Sequence, residues 1–215
     1  MTFRGWPAEA LEFYEGLRAD NSKLYWTAHK DVYDAQVLAP MEQLLAELED
    51  EFGTGKIFRP YRDVRFSSDK SPYKTAIGAT LSGGGYVQLS AEGLAAGSGY
   101  YVMASDQLRR YREAVAEEAA GAELEALIAQ VVKQGIEVRS RERLKGAPRG
   151  WPKDHPRLEL LRNKDLFAWR QWPVGPWLGT AAAKRRVVEF LRATGPFDEW
   201  LDRNVGPSEQ PGSRS

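Results

Sequence analysis

Not one of the 215 residues is cysteine. That excludes disulfides, zinc–thiolate sites, iron–sulfur clusters and thiol nucleophiles. A chain of this size without disulfides fits a reducing compartment. Long apolar runs are missing too. No uninterrupted stretch approaches the ~20 residues of a membrane span, and the opening Met1-Thr2-Phe3-Arg4-Gly5-Trp6-Pro7 lacks the apolar core of a signal peptide. These absences predict a cytoplasmic protein with no membrane partner. Histidine is scarce, at His29 and His155 only. Each has an aspartate close by, Asp31 and Asp154, but a histidine beside an aspartate is far more often a hydrogen-bonding residue than a ligand, so no metal is expected. There is no Walker loop, Gly-x-Gly-x-x-Gly, His-Glu-x-x-His or Gly-x-Ser-x-Gly elbow. Ser67-Ser68-Asp69-Lys70 matches Ser-x-x-Lys. That chemistry needs a helix to turn the lysine onto the serine, and Pro72 disfavours helix at Ser71, so the match is taken as chance.

What is present begins with charge. Thirty basic and thirty acidic side chains cancel, but unevenly along the chain. Residues 56–74 hold Lys56, Arg59, Arg62, Arg65, Lys70 and Lys74 against Asp63 and Asp69, a net +4. Residues 139–164 hold nine basic groups against Glu142, Asp154 and Glu159, a net +6, which leaves −10 for the remainder. If the two basic segments converge, they make an anion-attracting field on a neutral protein.

The periodicities predict an α+β fold with an antiparallel sheet in the middle of the chain and helices at both ends. Pro7 followed by Leu11, Tyr14 and Leu17 predicts a helix over 8–19. Asn21 or Ser22 can cap a second helix, which Pro40 kinks or breaks and which resumes to Gly53. Residues 56–66, 73–81, 86–91 and 94–102 read as extended. Gly83-Gly84-Gly85 turns a hairpin, so that 73–102 forms neighbouring antiparallel strands. A long helical region runs from Ser105 to about Gln134 with a weak point at Gly121. It is followed by a strand at 136–140, a loop over 143–156, a helix over 156–163, a strand at 166–169, and helices at 180–194 and 197–204. Gly206 to Ser215 contains no large apolar residue and reads as a disordered tail. A chain this long buries roughly 70% of its unfolded surface, and one domain over 1–205 is expected.

The densest chemistry lies at 59–75, Arg-Pro-Tyr-Arg-Asp-Val-Arg-Phe-Ser-Ser-Asp-Lys-Ser-Pro-Tyr-Lys-Thr. Guanidinium forks, lysine ammoniums, hydroxyls and turn amides are the usual partners of phosphate or carboxylate. Arg62, Arg65, Ser67, Lys70, Tyr73 and Lys74 are therefore candidate ligand-binding residues. The same residue types also build internal Arg–Asp pins with tyrosines in the core. A second cluster at 145–164 would place a helix N-terminus at Pro156 beside Arg149 and Lys153, a natural anion site. An ordinary capped helix uses the same letters. Trp151, Trp169, Trp172 and Trp177 suit core packing more than base stacking.

The runs Phe13 to Leu17, Asn21 through Trp26 to Lys30 and Tyr33, Pro40, Tyr61-Arg62-Asp63-Val64-Arg65-Phe66-Ser67 with Asp69-Lys70 and Pro72-Tyr73-Lys74-Thr75, Gly85-Tyr86-Val87, Gly97 to Tyr101, Pro148-Arg149-Gly150, Asp154-His155-Pro156 and Leu161 to Lys164 occur in order. In these the chain resembles the bacterial and fungal family catalogued as domain of unknown function 2461, over about residues 3–203. The family usually has two asparagines before the tryptophan segment; here the second is Ser22. The resemblance implies the α+β fold and no established activity, cofactor or catalytic residue.

Three functions are compatible with these residues. The first is a basic cleft for a small phosphorylated or carboxylated ligand. Arg62, Arg65, Lys70, Lys74 and Arg149 would hold the anion and Tyr73 orient it. Were the site catalytic, Asp63 or His155 would be the acid–base group. The second is nucleic-acid binding, against which zero net charge counts. The third is a protein-interaction module whose Arg–Asp motif is structural. The residues name no cofactor, reaction type or oligomeric state.

Overall fold

A computed structural model describes residues 2–65 and 69–210. Its six strands, β1 (Gly55–Ile57), β2 (Ala76–Leu81), β3 (Tyr86–Ser90), β4 (Gly93–Tyr100), β5 (Glu137–Arg139) and β6 (Leu166–Trp172), form one antiparallel sheet in the order β1-β2-β3-β4-β6-β5, with helices towards both chain ends, an α+β fold. By internal contacts the chain divides into two compact units, Met1–Ala96 with Gln171–Phe190, and Gly97–Arg170 with Leu191–Ser215. No helix among the described residues is long and apolar enough to cross a membrane.

In the first unit, α1 (Ala8–Ala19) buries Ala10, Phe13, Tyr14 and Leu17, a stripe at three- and four-residue spacing. Its helix follows an extended Pro7, which stands at the cap position. Ser22 caps α2 (Lys23–Ala28) by accepting from the Tyr25 amide at 3.1 Å, leaving Asn21 free for another partner. Pro40 does not end the next helix. The chain continues from α3 (Lys30–Val32) through a π-turn segment, Tyr33–Leu38, into α4 (Ala39–Phe52). Widening the turn ahead of a proline relieves the missing amide and the ring clash that would otherwise break the helix. At the end of α4, Gly53 adopts φ +78, a conformation that favours glycine, and its amide bonds to Glu49.

The strands of this unit start with β1 (Gly55–Ile57), shorter than the extended segment expected over 56–66. It pairs antiparallel with β2 (Ala76–Leu81), which pairs antiparallel with β3 (Tyr86–Ser90) through the expected glycine turn. Next in the sheet is β4 (Gly93–Tyr100), so β2, β3 and β4 are neighbours in chain order. Alternation sends Ile77, Ala79, Leu81, Val87 and Leu89 into the core. Thr80, Tyr86 and Gln88 stay half-buried on the other face.

In the second unit the region after Ser105 is two helices, α5 (Ser105–Ala116) and α6 (Glu118–Lys133). The break falls at Glu117, not at the expected Gly121. Glu117 is extended (φ −65, ψ 137), and its carboxylate accepts from the amides of Ala119 and Ala120, so an acid does the work of an N-cap. Gly121 is there for space: a Cβ would stand 2.3 Å from the Val115 carbonyl oxygen and 2.8 Å from the Arg157 guanidinium. The strand β5 (Glu137–Arg139) pairs antiparallel with β6 (Leu166–Trp172). Between them α7 is only Leu158–Leu161, shorter than the helix expected over 156–163.

The final helix, α8 (Ala182–Asn204), is continuous where two were expected, with Pro196 inside it. The proline forfeits one backbone bond. Burial of Leu191, Phe197, Trp200 and Leu201 on both sides of it outweighs that loss. Residues 206–210, expected as part of a tail, are tied to α5. Gln107 donates to the Gly206 carbonyl, Arg110 to the Pro207 carbonyl, and Asp106 accepts from the Ser208 hydroxyl and the Glu209 amide. Polar bonds of this kind leave no apolar signature. Residues 211–215 lie outside the described residues.

Replacing Gly121 with alanine should destabilise the protein by about 1–3 kcal/mol, the usual cost of overpacking. The obstacle is backbone at 2.3 Å. Denaturant midpoints of the two proteins measure the difference.

Candidate functional site

The site residues of the first unit are built around Tyr73. Beyond β2 the chain makes one isolated antiparallel bridge, Tyr61 with Tyr73. Its bonds run from the Arg62 amide to the Pro72 carbonyl at 2.9 Å and from the Lys74 amide to the Pro60 carbonyl at 2.8 Å. In such a pair the backbone groups of Tyr73 itself point away from Tyr61. Asn21 takes both: its Nδ2 donates to the Tyr73 carbonyl at 3.1 Å, and its Oδ1 accepts from the Tyr73 amide at 3.0 Å. The carboxamide stands in for a third strand. Sequence reasoning saw Asn21 only as an alternative cap, although the paired asparagines of the resembled family were a signal.

The side chains sort onto two faces. Tyr73 is buried and stacks on Trp26, 4.5 Å between centroids at 8°. Tyr61, 50% exposed, closes the edge of this layer at 5.5 Å from Tyr73. The neighbours in sequence face the opposite way, and there Lys74 Nζ lies 5.3 Å from the centre of the Phe58 ring. The Phe58 amide bonds to Gly78, so between this contact and the Tyr61–Tyr73 bridge two residues (59 and 60) oppose four (74–77). This bulge sets Lys74 beside Arg59 outside the regular ladder. Burial lowers the Lys74 pKa from its ordinary value, and Arg59 lowers it further.

The other charged residues of the motif are satisfied within it. Arg65 grips Asp63 through Nε at 2.9 Å and Nη2 at 2.7 Å, and its amide also bonds to Asp63. Arg62 pairs with Asp69, which also accepts from the Ser71 amide at 2.9 Å. Lys70 Nζ donates to the Val64 carbonyl at 3.0 Å. The bond to Arg65 holds the Asp63 carboxyl below the usual range. Bonds to Ser71, then Arg62, hold Asp69 well below it. Ser67 lies outside the described residues.

Arg149 and His155 belong to the second unit. There the basic run is largely neutralised: Arg139 pairs with Glu137, Arg143 and Arg162 with Glu159, and Lys164 with Glu142. Asp165, buried, accepts from the amides of Arg141 and Glu142 and stands 4.0 Å from the Arg141 guanidinium. Arg157, only 7% exposed, is held by Glu118 and Glu125 of α6. Four of these six acids (Glu118, Glu125, Glu137 and Asp165) lie outside 139–164, so the segment's own count could not show the balance. Arg149, with Lys145 and Lys153, is exposed on the loop. No helix N-terminus forms at Pro156, where one would have offered an anion site. The helix begins at Leu158 and has four residues, and His155 Nδ1 accepts from the Arg157 amide at 3.0 Å. His29 Nδ1 is 2.8 Å from the Tyr25 carbonyl, its ring stacked on Tyr25. Of the tryptophans, Trp172 is buried against Phe190 and Trp177 lies under Arg186.

Two outcomes follow. Asn21→Ala should cost about 1–3 kcal/mol, because it leaves both part-buried backbone groups of Tyr73 without partners; a denaturant midpoint reads it. Asp63 and Asp69 have folded pKa values below their unfolded ones. Their contribution is therefore complete above the ordinary carboxylate range, about pH 4, and is lost as pH falls through the depressed values. Asp69→Asn should flatten the acid limb of a stability profile taken from neutral pH down to about pH 2.

No curated protein and no solved structure matches the chain. A family model does, described as conserved hypothetical protein (DUF2461), over residues 9–200. That span includes the Asn21–Tyr73 clamp, the ion-paired turn and the whole sheet, and the chain belongs to this family.

Proposed function

We propose that the first unit binds a small phosphorylated or carboxylated ligand at Lys74 and Arg59, over the Phe58 ring. The observation that carries this is the position of Lys74: half-buried, beside a second cation, with no carboxylate bonded to it among the described residues. A lysine in that setting gains from any anion that supplies the missing charge. Lys70 and Tyr73 border the same strand pair. Arg62 and Arg65 act as the frame, since each already holds an aspartate of its own. This joins the anion-site reading to the structural one. The Arg–Asp pairs shape the turn, and the cation left over meets the ligand. A nucleic-acid reading draws less support, because six of the nine cations in 139–164 carry carboxylate partners.

The test is a melting screen at constant pH and ionic strength with phosphate, nucleotides, sugar phosphates and dicarboxylates. A ligand that binds only the folded form stabilises it by about 2.7 kcal/mol at one hundred times Kd. At least one of these anions should raise the midpoint. Lys74→Ala should abolish the rise, and Arg65→Ala should keep most of it while moving the unliganded midpoint little, as loss of an exposed pair does. A midpoint that no anion moves, or one that Lys74→Ala leaves responsive, would overturn the proposal.

A further inference from the structure

The Gly97 to Tyr101 segment stood out in the sequence and has no part in the site above. On β4, Ser98 and Tyr100 are two residues apart and share a face. On α8, Asp198 and Asp202 are one turn apart and share a face. The two pairs meet within the second unit. Ser98 Oγ donates to Asp198 Oδ2, and Tyr100 donates to Asp202 Oδ1 at 2.9 Å. Ser98 is 5% exposed. The second oxygen of Asp198, Oδ1, is buried and has no hydrogen-bond partner among the described residues.

An ionised Asp198 would leave that oxygen bare in a buried setting, one helical turn from Asp202 and next to Glu199. No cation is bonded to it among the described residues. Arg110 of α5, whose charge reaches Tyr100, is committed to Asp106 and to the carbonyls of Val205 and Pro207. A buried charge without a partner is costly, and a neutral acid avoids the cost. Burial pushes the Asp198 carboxyl up to about 7; the Ser98 bond opposes this, and the charges of Asp202 and Glu199 add to it. Burial, then the bond to Asp202, also holds the Tyr100 hydroxyl above its ordinary range, so it stays a donor.

We propose that Ser98 and Asp198 form a proton-dependent latch between β4 and α8, held while Asp198 is a neutral acid and loosened when it ionises. The sign follows from the direction of the shift. The folded carboxyl binds its proton more tightly than the unfolded one, so the latch contributes fully below the ordinary aspartate range. That contribution is lost as pH rises towards and through the folded value.

The experiment uses the full chain. Carbon-detected NMR follows the Asp198 carboxyl from pH 4 to 9, and hydrogen exchange, corrected for its intrinsic pH dependence, follows the α8 amides after Asp198. The expected midpoint is near 7, with protection of those amides falling about tenfold between pH 6 and 8. Asp198→Asn cannot ionise and should keep protection flat. Asp202→Asn removes a repelling charge and should move the Asp198 midpoint down. A midpoint in the ordinary range near about 4, or an Asp198→Asn protein that loses protection as the parent does, would overturn the latch. Should Asp198→Asn fail to fold, the carboxyl titrations of the parent and of Asp202→Asn decide alone.

Discussion

Buried backbone groups have to find partners, and in the first unit that requirement is hardest to meet just beyond the start of β2. There the regular ladder stops at Gly78, and the chain still has to return to Tyr61. A single bridge does this, and it leaves the Tyr73 amide and carbonyl facing away from the strand they pair with. Among the described residues, Asn21 is the one side chain bonded to both. Fixing Tyr73 in this way fixes its ring against Trp26 and, by alternation, sends Lys74 to the other face. The aromatic layer and the half-buried cation thus both follow from two hydrogen bonds made by a residue 52 positions away in sequence.

The charge runs look like fields in the sequence and are mostly closed pairs in space. Most of their cations have carboxylate or carbonyl partners, several on neighbouring elements: Asp165 just ahead of β6, Glu118 and Glu125 on α6. Pairs at the surface are worth little each, typically 0–1 kcal/mol, so their role is to fix turns more than to hold the fold. Arg157 differs because its guanidinium is buried; losing Glu118 or Glu125 would strand it, and breaking such a pair costs far more than forming it returns.

Local pattern made much of the fold legible. Pro7 followed by Leu11, Tyr14 and Leu17 marks α1 to the residue, and three glycines place the β2–β3 hairpin. The misses share a cause. At Gly121 and Pro196 the local preference for a break loses to burial of Leu124, Phe197 and Trp200. At Glu117 the cap is an acid whose role depends on an extended backbone that propensity does not reveal. Of the site, the sequence marks the turn and its residue types. It cannot say which cation is left over, because that depends on the Arg62–Asp69 and Arg65–Asp63 partnerships and on a bulge of two residues.

Thirty positive and thirty negative groups give zero overall, yet neutrality of the sum says nothing about individual balance. Lys74 is a cation whose close charged neighbour is another cation, and Asp198 is an acid whose close charged neighbours are acids. Each is disfavoured in its charged form, for the same reason with the sign reversed. Their remedies differ because of access. Lys74 lies at an exposed strand edge, where an incoming anion can supply the missing charge. Asp198 has an unpartnered oxygen that is buried, so a proton is the smaller and cheaper correction. At the ion-paired positions of the two basic segments, adding an anion or a proton would first have to break a pair that is already made. At Lys74 and Asp198 no ion pair among the described residues stands in the way.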